Sequence, residues 1–161
     1  MSKLSDQDIA WLARHGSRVQ IGAGQELVRA GSRIQTLYFV LDGELGVVTR
    51  DGTALASLKS GEVVGEMSFV DPAPTNVSVV SRRPSLLLAV QHEHLRDAFK
   101  TDVGFCARFY HALSIFMADR IRQMNARQAG GGDADELDDS LLDDVHLAGA
   151  RFEWVLRQLA G

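Results

Sequence analysis

The spacing of apolar residues changes period twice along the chain and divides it into three parts. In DQDIAWLARHG, Ile9, Leu12 and Ala13 fall on one helical face, and Ser5 with Asp8 three residues on forms a capping-box pattern that Gly16 closes. A short capped helix therefore opens the chain. From Arg18 to about Val90 the pattern becomes β-branched runs divided by turn signals: RVQI, QELVRAG, TLYFVLDGELGVVTRDGTALASL, NVSVVS and SLLLAV. Asp42-Gly43 and Asp51-Gly52 are the strongest hairpin signals, because primed turns need a positive φ that glycine adopts cheaply. About eight short strands with tight turns predict a rolled β structure. After Gln91 the helical period returns: HEHLRDAFKTD predicts a short hinge helix over 92–101, and a longer helix follows over 103–127.

The long helix carries Phe105, Phe109, Leu113, Phe116, Met117, Ile121 and Met124, mostly three or four apart. Some 25 residues of helix extend about 37 Å, longer than a small barrel is wide, so part of it must pack on something else. A second copy joined by a two-fold seam is one candidate, since a self-complementary contact buries such a stripe economically. The alternative is that the end of the chain folds back on it. That end begins with QAGGGDADELDD, whose glycines and repelling acids predict a linker over 129–140. Beyond it, Leu147, Phe152, Val155, Leu156 and Leu159 predict an amphipathic helix over 141–161, which docks either on its own domain or on a protein partner.

Composition narrows the function classes. The 161 residues are 45% apolar, enough for one core without a metal or disulfide, and the one cysteine, Cys106, has no partner in its own chain. Met1–Ala10 lacks the basic and apolar regions of a signal peptide, which makes the cytoplasm the expected compartment. No apolar run nears the roughly 20 residues that span a bilayer, so no membrane association is expected. Residues 1–128 carry a net charge of +2 and residues 129–161 a net −6, giving −4 in total, which argues against nucleic-acid binding.

Helix, strands, hinge helix and long helix, in that order, frame a more specific pattern. The stretch LYFVLDGELGVVTRDGTALASLKSGEVVGEMSFV resembles the core of a cyclic nucleotide-binding domain, the jelly-roll sensor of the catabolite activator protein and of cyclic-nucleotide-regulated kinases and channels. The landmarks are YFVLDGE at 38–44, the turn residue Gly52 and SGEVVGE at 60–66, and the resemblance extends over roughly residues 5–127. It implies an α+β fold: a β jelly roll over 18–90 flanked by the N-terminal, hinge and long helices, in one domain over 1–128.

The resemblance also implies a ligand segment. In this family the stretch after Gly-Glu is a phosphate cassette: a one-turn helix whose backbone donors face a cyclic phosphate, a glutamate for a ribose hydroxyl and an arginine for the phosphate. The glutamate maps to Glu66 after Gly65, and the arginine position maps to Thr75 after Pro74, with Asn76 where Ala or Ser is usual. The candidate pocket is thus Gly65, Glu66, Met67, Ser68, Thr75 and Asn76, and it lacks the phosphate's cation. Losing one member of a buried charge pair costs about 2–5 kcal/mol, which would move a micromolar site toward about 0.1 mM or weaker. Arg82 and Arg83 lie roughly 23–26 Å beyond Thr75 along an extended strand, too far to substitute along it. Lys59 is on a different strand of unknown facing. Without a ribose, Glu66 is expected to cap its own loop, bonded to backbone amides, Thr75, Asn76 or Ser78.

Other groupings carry less. His92 and His94 resemble the His-x-His of metal cupins, but no third ligand follows at a compatible spacing, and a helix-start cap or surface role is expected. Cys106 lies within the long helix's apolar stripe and is expected to be a buried, inert thiol. Without paired acids, a Ser/His/Asp grouping or a Walker-type glycine loop, no enzyme is expected. Transcription factors of this family add a basic winged helix-turn-helix after the long helix, whereas residues 128–161 are acidic. The expectation is a stand-alone, cyclic nucleotide-binding-like regulatory and interaction module. It has a degenerate cassette, dimerises through helix 103–127 and binds cAMP and cGMP weakly or not at all. The alternative is a sensor for a cyclic mononucleotide, cyclic dinucleotide or other anionic metabolite, read through the altered cassette.

Overall fold

The computed structural model describes residues 3–128; the linker and amphipathic helix expected over 129–140 and 141–161 lie outside the described residues. Helix α1 (Asp6–His15) is held at its start by a complete capping box, with Asp8 N donating to Ser5 Oγ at 3.2 Å and Ser5 N to Asp8 Oδ2 at 2.9 Å. Six strands follow: β1 (Ser17–Ile21), β2 (Glu26–Val28), β3 (Thr36–Val48), β4 (Ala54–Lys59), β5 (Val63–Val64) and, after the short helix α2 (Glu66–Val70), β6 (Ser78–Gln91). Helices α3 (His92–Thr101) and α4 (Val103–Gln128) complete the described chain.

The strands form one antiparallel sheet in the order β1-β6-β3-β4, with β2 also paired to β6 and β5 to β3. Six strands replace the expected eight because two apparent breaks are bends within long strands. Asp51-Gly52 does close a hairpin between β3 and β4, with Thr49 N donating to Thr53 O at 2.9 Å and Gly52 N to Thr49 O at 3.0 Å. Asp42-Gly43 does not close a turn. It is a bulge inside β3, where the pairing with β6 shifts register on both sides of Asp42. Gly43 has φ +116, and a Cβ there would fall inside the Ser85 side chain. The Ser85 hydroxyl replaces the interrupted ladder, accepting from Glu44 N at 3.1 Å and donating to Arg83 O at 2.7 Å. The same bend carries β6 through Arg82-Arg83-Pro84 without ending it.

Continuous apolar runs such as SLLLAV are explained by burial of both strand faces. Leu87 and Val79 join Val40, Leu45, Leu58 and Val64 inside the roll. Leu88 and Val90 join Leu37, Leu41 and Val63 on the other face, beneath Ile9 and Leu12 of α1, Leu95 and Phe99 of α3, and Phe105, Phe109 and Leu113 of α4. Each fully buried leucine contributes roughly 2 kcal/mol through transfer from water. A one-residue slip of β6 would exchange the two sets, so the register is strongly specified.

The stripe expected along α4 is divided. Phe105, Phe109 and Leu113 are buried and Phe116 packs against the same core, whereas Ile121 is 57% and Met124 37% exposed. Cys106 is half-buried at the edge of this core rather than fully enclosed. His92, expected as a cap or surface residue, is instead buried at the start of α3 with its ring edge-on to Phe69 at 5.0 Å, while His94 is exposed. Its Nε2 has no hydrogen-bond partner among the described residues. At the other end of the body, Arg108 of α4 donates two bonds to the buried Asp8 carboxylate, at 2.6 and 2.8 Å, and ties α1 to α4.

Three substitutions test these contacts. Ser5→Ala removes half of the capping box and should cost about 1 kcal/mol in chemical denaturation. Asp8→Ala removes the box and the Arg108 pair together and should cost more; equal losses would show that the pair does not hold α1. Burial, reinforced by the nearby Arg96 guanidinium, pushes the His92 pKa down to about 4. The folded chain then keeps His92 neutral while the unfolded chain protonates it below about pH 6.5. This contribution is complete above that pH and is lost as the pH falls toward about 4, by up to roughly 3 kcal/mol. The urea midpoint of His92→Phe should accordingly vary less than wild type across this window, and parallel profiles would contradict the assignment.

Candidate functional site

The segment from Val63 to Thr75 is positioned by its backbone. Val63 and Val64 pair with Phe39 and Tyr38 of β3, and the chain then turns sharply at Gly65. Gly65 has φ +92, and a Cβ there would meet Thr36 O at 2.7 Å, so both conformation and space require glycine. Helix α2 follows directly. Glu66, Ser68 and Phe69 face inward, whereas Met67 and Val70 are 63% and 51% exposed. Phe69 is the anchor: its ring lies 5.7 Å from Phe109, 5.7 Å from Tyr110 and 6.2 Å from Phe99, joining α2 to α3 and α4.

The consecutive candidates Gly65, Glu66, Met67 and Ser68 thus share one turn, while Thr75 and Asn76 belong to a second structure. Thr75 is tied to the loop between β2 and β3, where Gly31 N donates to Thr75 O at 2.6 Å and Thr75 N donates to Ser32 O at 2.9 Å. Its hydroxyl is engaged locally, 3.3 Å from both N and O of Val77. Asn76 is exposed, and Ser78 Oγ accepts from Ala30 N at 2.9 Å.

Glu66 is 1% exposed, and the cation it meets is Arg120 of α4, fifty-four positions away. The other guanidinium nitrogen donates to Val63 O at 2.8 Å. The expectation that Glu66 caps its own loop is corrected: a buried carboxylate is better satisfied by a guanidinium than by hydroxyls that neighbouring backbone already holds. Arg82, Arg83 and Lys59 were the cations weighed from sequence, and of these Arg83 is paired at the surface, 3.7 Å from Asp42. The signal for Arg120 lay in the spacing. Residues 105, 109, 113, 116 and 120 continue one helical face, so the inward stripe ends on an arginine where an apolar residue would be routine.

Two further guanidiniums reach the same segment. Arg96 of α3 donates to Phe69 O at 3.4 Å and lies 5.4 Å from the Phe69 ring centroid, a cation–π distance. Arg33 donates to Pro72 O at 3.2 Å. Near Arg120, burial pushes the Glu62 carboxyl up, against the 2.6 Å bond from Lys59 N and the charges of Arg120 and Lys59, while Asp119 adds to the upward push. The polar groups of the segment are thus engaged from within the protein. Among the described residues no three metal-ligating side chains cluster, and no described helix is long and apolar enough to cross a membrane.

Comparison with known proteins agrees with this architecture. The family model of the cyclic nucleotide-binding domain matches residues 18–102. The CRP-like protein Clp of Xanthomonas campestris pv. campestris is 26% identical over 113 residues, 66% of this chain and 49% of Clp. Glutaminase 2 of Bradyrhizobium diazoefficiens is 24% identical over 127 residues, 79% of this chain and 20% of that protein. The chain therefore spans about half of the one relative and a fifth of the other. Among solved structures, a cyclic nucleotide-binding domain from Methylobacillus flagellatus superposes with a TM-score of 0.74 at 19% identity, covering 83% of this chain and 78% of that one. The c-di-GMP responsive global regulator CLP of Xanthomonas campestris superposes at 0.70 and 22% identity, covering 78% and 63%. With the jelly-roll sheet, the flanking helices and the Gly65-Glu66 turn in place, and a family model matching more than half of its length, the chain belongs to the cyclic nucleotide-binding domain family.

Proposed function

We propose that this domain is a regulatory and interaction module in which the ligand segment no longer binds cAMP or cGMP tightly. The observation that carries this reading is Thr75. It stands where the family resemblance places the phosphate's arginine, and its hydroxyl is already bonded within its own loop. Glu66, the residue matching the family's ribose partner, is likewise occupied by Arg120. The module works by binding rather than by catalysis, in the cytoplasm, without nucleic acid or membrane as partner. Its partners are a second copy through α4 and a protein that takes the 141–161 segment.

The dimer reading is supported by the outward side of α4. Val103, Tyr110, Met117 and Met124 recur every seven residues, the spacing of a coiled-coil seam, and Val103, Tyr110, Ile121 and Met124 are exposed large apolar side chains. A second reading, a sensor with altered specificity, is favoured by one observation: the similar CLP of Xanthomonas campestris is described as c-di-GMP responsive.

Isothermal titration with cAMP, cGMP and c-di-GMP separates the two. Under the first reading the wild type gives no heat at micromolar ligand, and Thr75→Arg gains cAMP or cGMP binding by about 2 kcal/mol or more. Micromolar binding of any of the three by the wild type would favour the sensor. Sedimentation equilibrium tests the assembly: wild type should be dimeric and the Ile121→Glu/Met124→Glu double variant monomeric with an unchanged circular dichroism spectrum. A monomeric wild type would remove the dimer from the proposal.

A further inference from the structure

We propose that Arg120 is a built-in occupant of the ligand segment, which latches α4 to α2 when no ligand is bound. This rests on the reading above that Glu66 lies in the former ligand pocket. Three observations converge on it. Glu66 is 1% exposed, and a carboxylate so enclosed needs a cation and donors within the protein. Arg120 supplies both, and the same guanidinium bonds Val63 O, so one side chain grips the strand before Gly65 and the first residue after it. Finally, Arg120 marks the end of the inward face of α4. Phe109 and Leu113 before it are buried, Phe116 packs on the core, and residues 121–126 after it are all exposed.

The latch has a defined chemical key. A molecule that displaces Arg120 must bring hydrogen-bond donors to the Glu66 carboxylate and an anion to the freed guanidinium. The position of α4, and with it the outward apolar side that a second copy would cover, is then set by whether Glu66 is held from within or from without. A ligand can shift that equilibrium only by its differential affinity for the two states.

Amide hydrogen exchange on the full chain tests the latch without nucleotide. In Glu66→Gln, nearly isosteric, and in Arg120→Gln, exchange over 66–70 and 113–120 should rise together by roughly tenfold or more while β3 and β6 amides are unchanged. Because the pair acts as a unit, the double variant should exchange no faster than the faster single variant. Arg120→Lys, which keeps the charge, should fall between wild type and Arg120→Gln. Exchange over 113–120 that ignores Glu66→Gln, or effects that add in the double variant, would overturn the latch. Nucleotide titration keeps the two readings apart: cAMP binding gained by Arg120→Gln alone would support the latch while refuting loss at Thr75 as the cause of silence.

Discussion

The antiparallel pairing of β3 with β6 is the interaction on which the rest of the structure depends. These two long strands register from Thr36↔Gln91 to Val48↔Ser78 and contribute to both cores at once. Alternate residues of β6 point into the roll and toward the helices, so burial on one face fixes the other. Flat strands of this length could not wrap a core. The Gly43 bulge, with the hydroxyls of Ser81 and Ser85 3.2 Å apart behind it, bends them while keeping the interrupted backbone groups satisfied. Everything that bears on function hangs from this pair. β5 docks on β3 and delivers Gly65, and β6 ends at Gln91 and delivers α3.

Around α2 the positive charge of the domain is turned toward protein acceptors. Arg33 meets a carbonyl in the Pro72 loop, Arg96 meets the end of α2 and the face of Phe69, and Arg120 meets Glu66 and Val63. A guanidinium offers five donors in a planar fork, so it can bond a carboxylate and a carbonyl together where a lysine would satisfy one point. Three helices and two loops are thereby joined at one short turn. That economy makes α2 a mechanical junction whether or not a small molecule visits it. It also explains why the buried Phe69 touches rings from both α3 and α4: the same turn must be packed as well as charged.

Much of the fold was legible because it is written in local periods. Ser5 and Asp8 announced α1, Asp51-Gly52 announced its hairpin, and the landmarks around YFVLDGE and SGEVVGE carried the α+β jelly-roll class. Asp42-Gly43 misled because the same dipeptide suits a tight turn and a bulge: both need positive φ, and only the facing strand decides between them. His92 misled for a related reason, since its place at a helix start says nothing of what packs over it, which is Phe69. In the candidate site, the one turn holding Gly65 through Ser68 was legible, and the partner of Glu66 was not.

By itself the sequence determined the helix, strands, helices order of the elements, the capped start of α1 and the hairpin at Asp51-Gly52, since each depends on residues a few positions apart. Tertiary structure alone decided that Asp42-Gly43 bends a strand, that the stripe of α4 divides into an inward and an outward part, and that Arg120 closes on Glu66. Those outcomes join residues dozens of positions apart, through bonds whose strength depends on burial that only the assembled core creates.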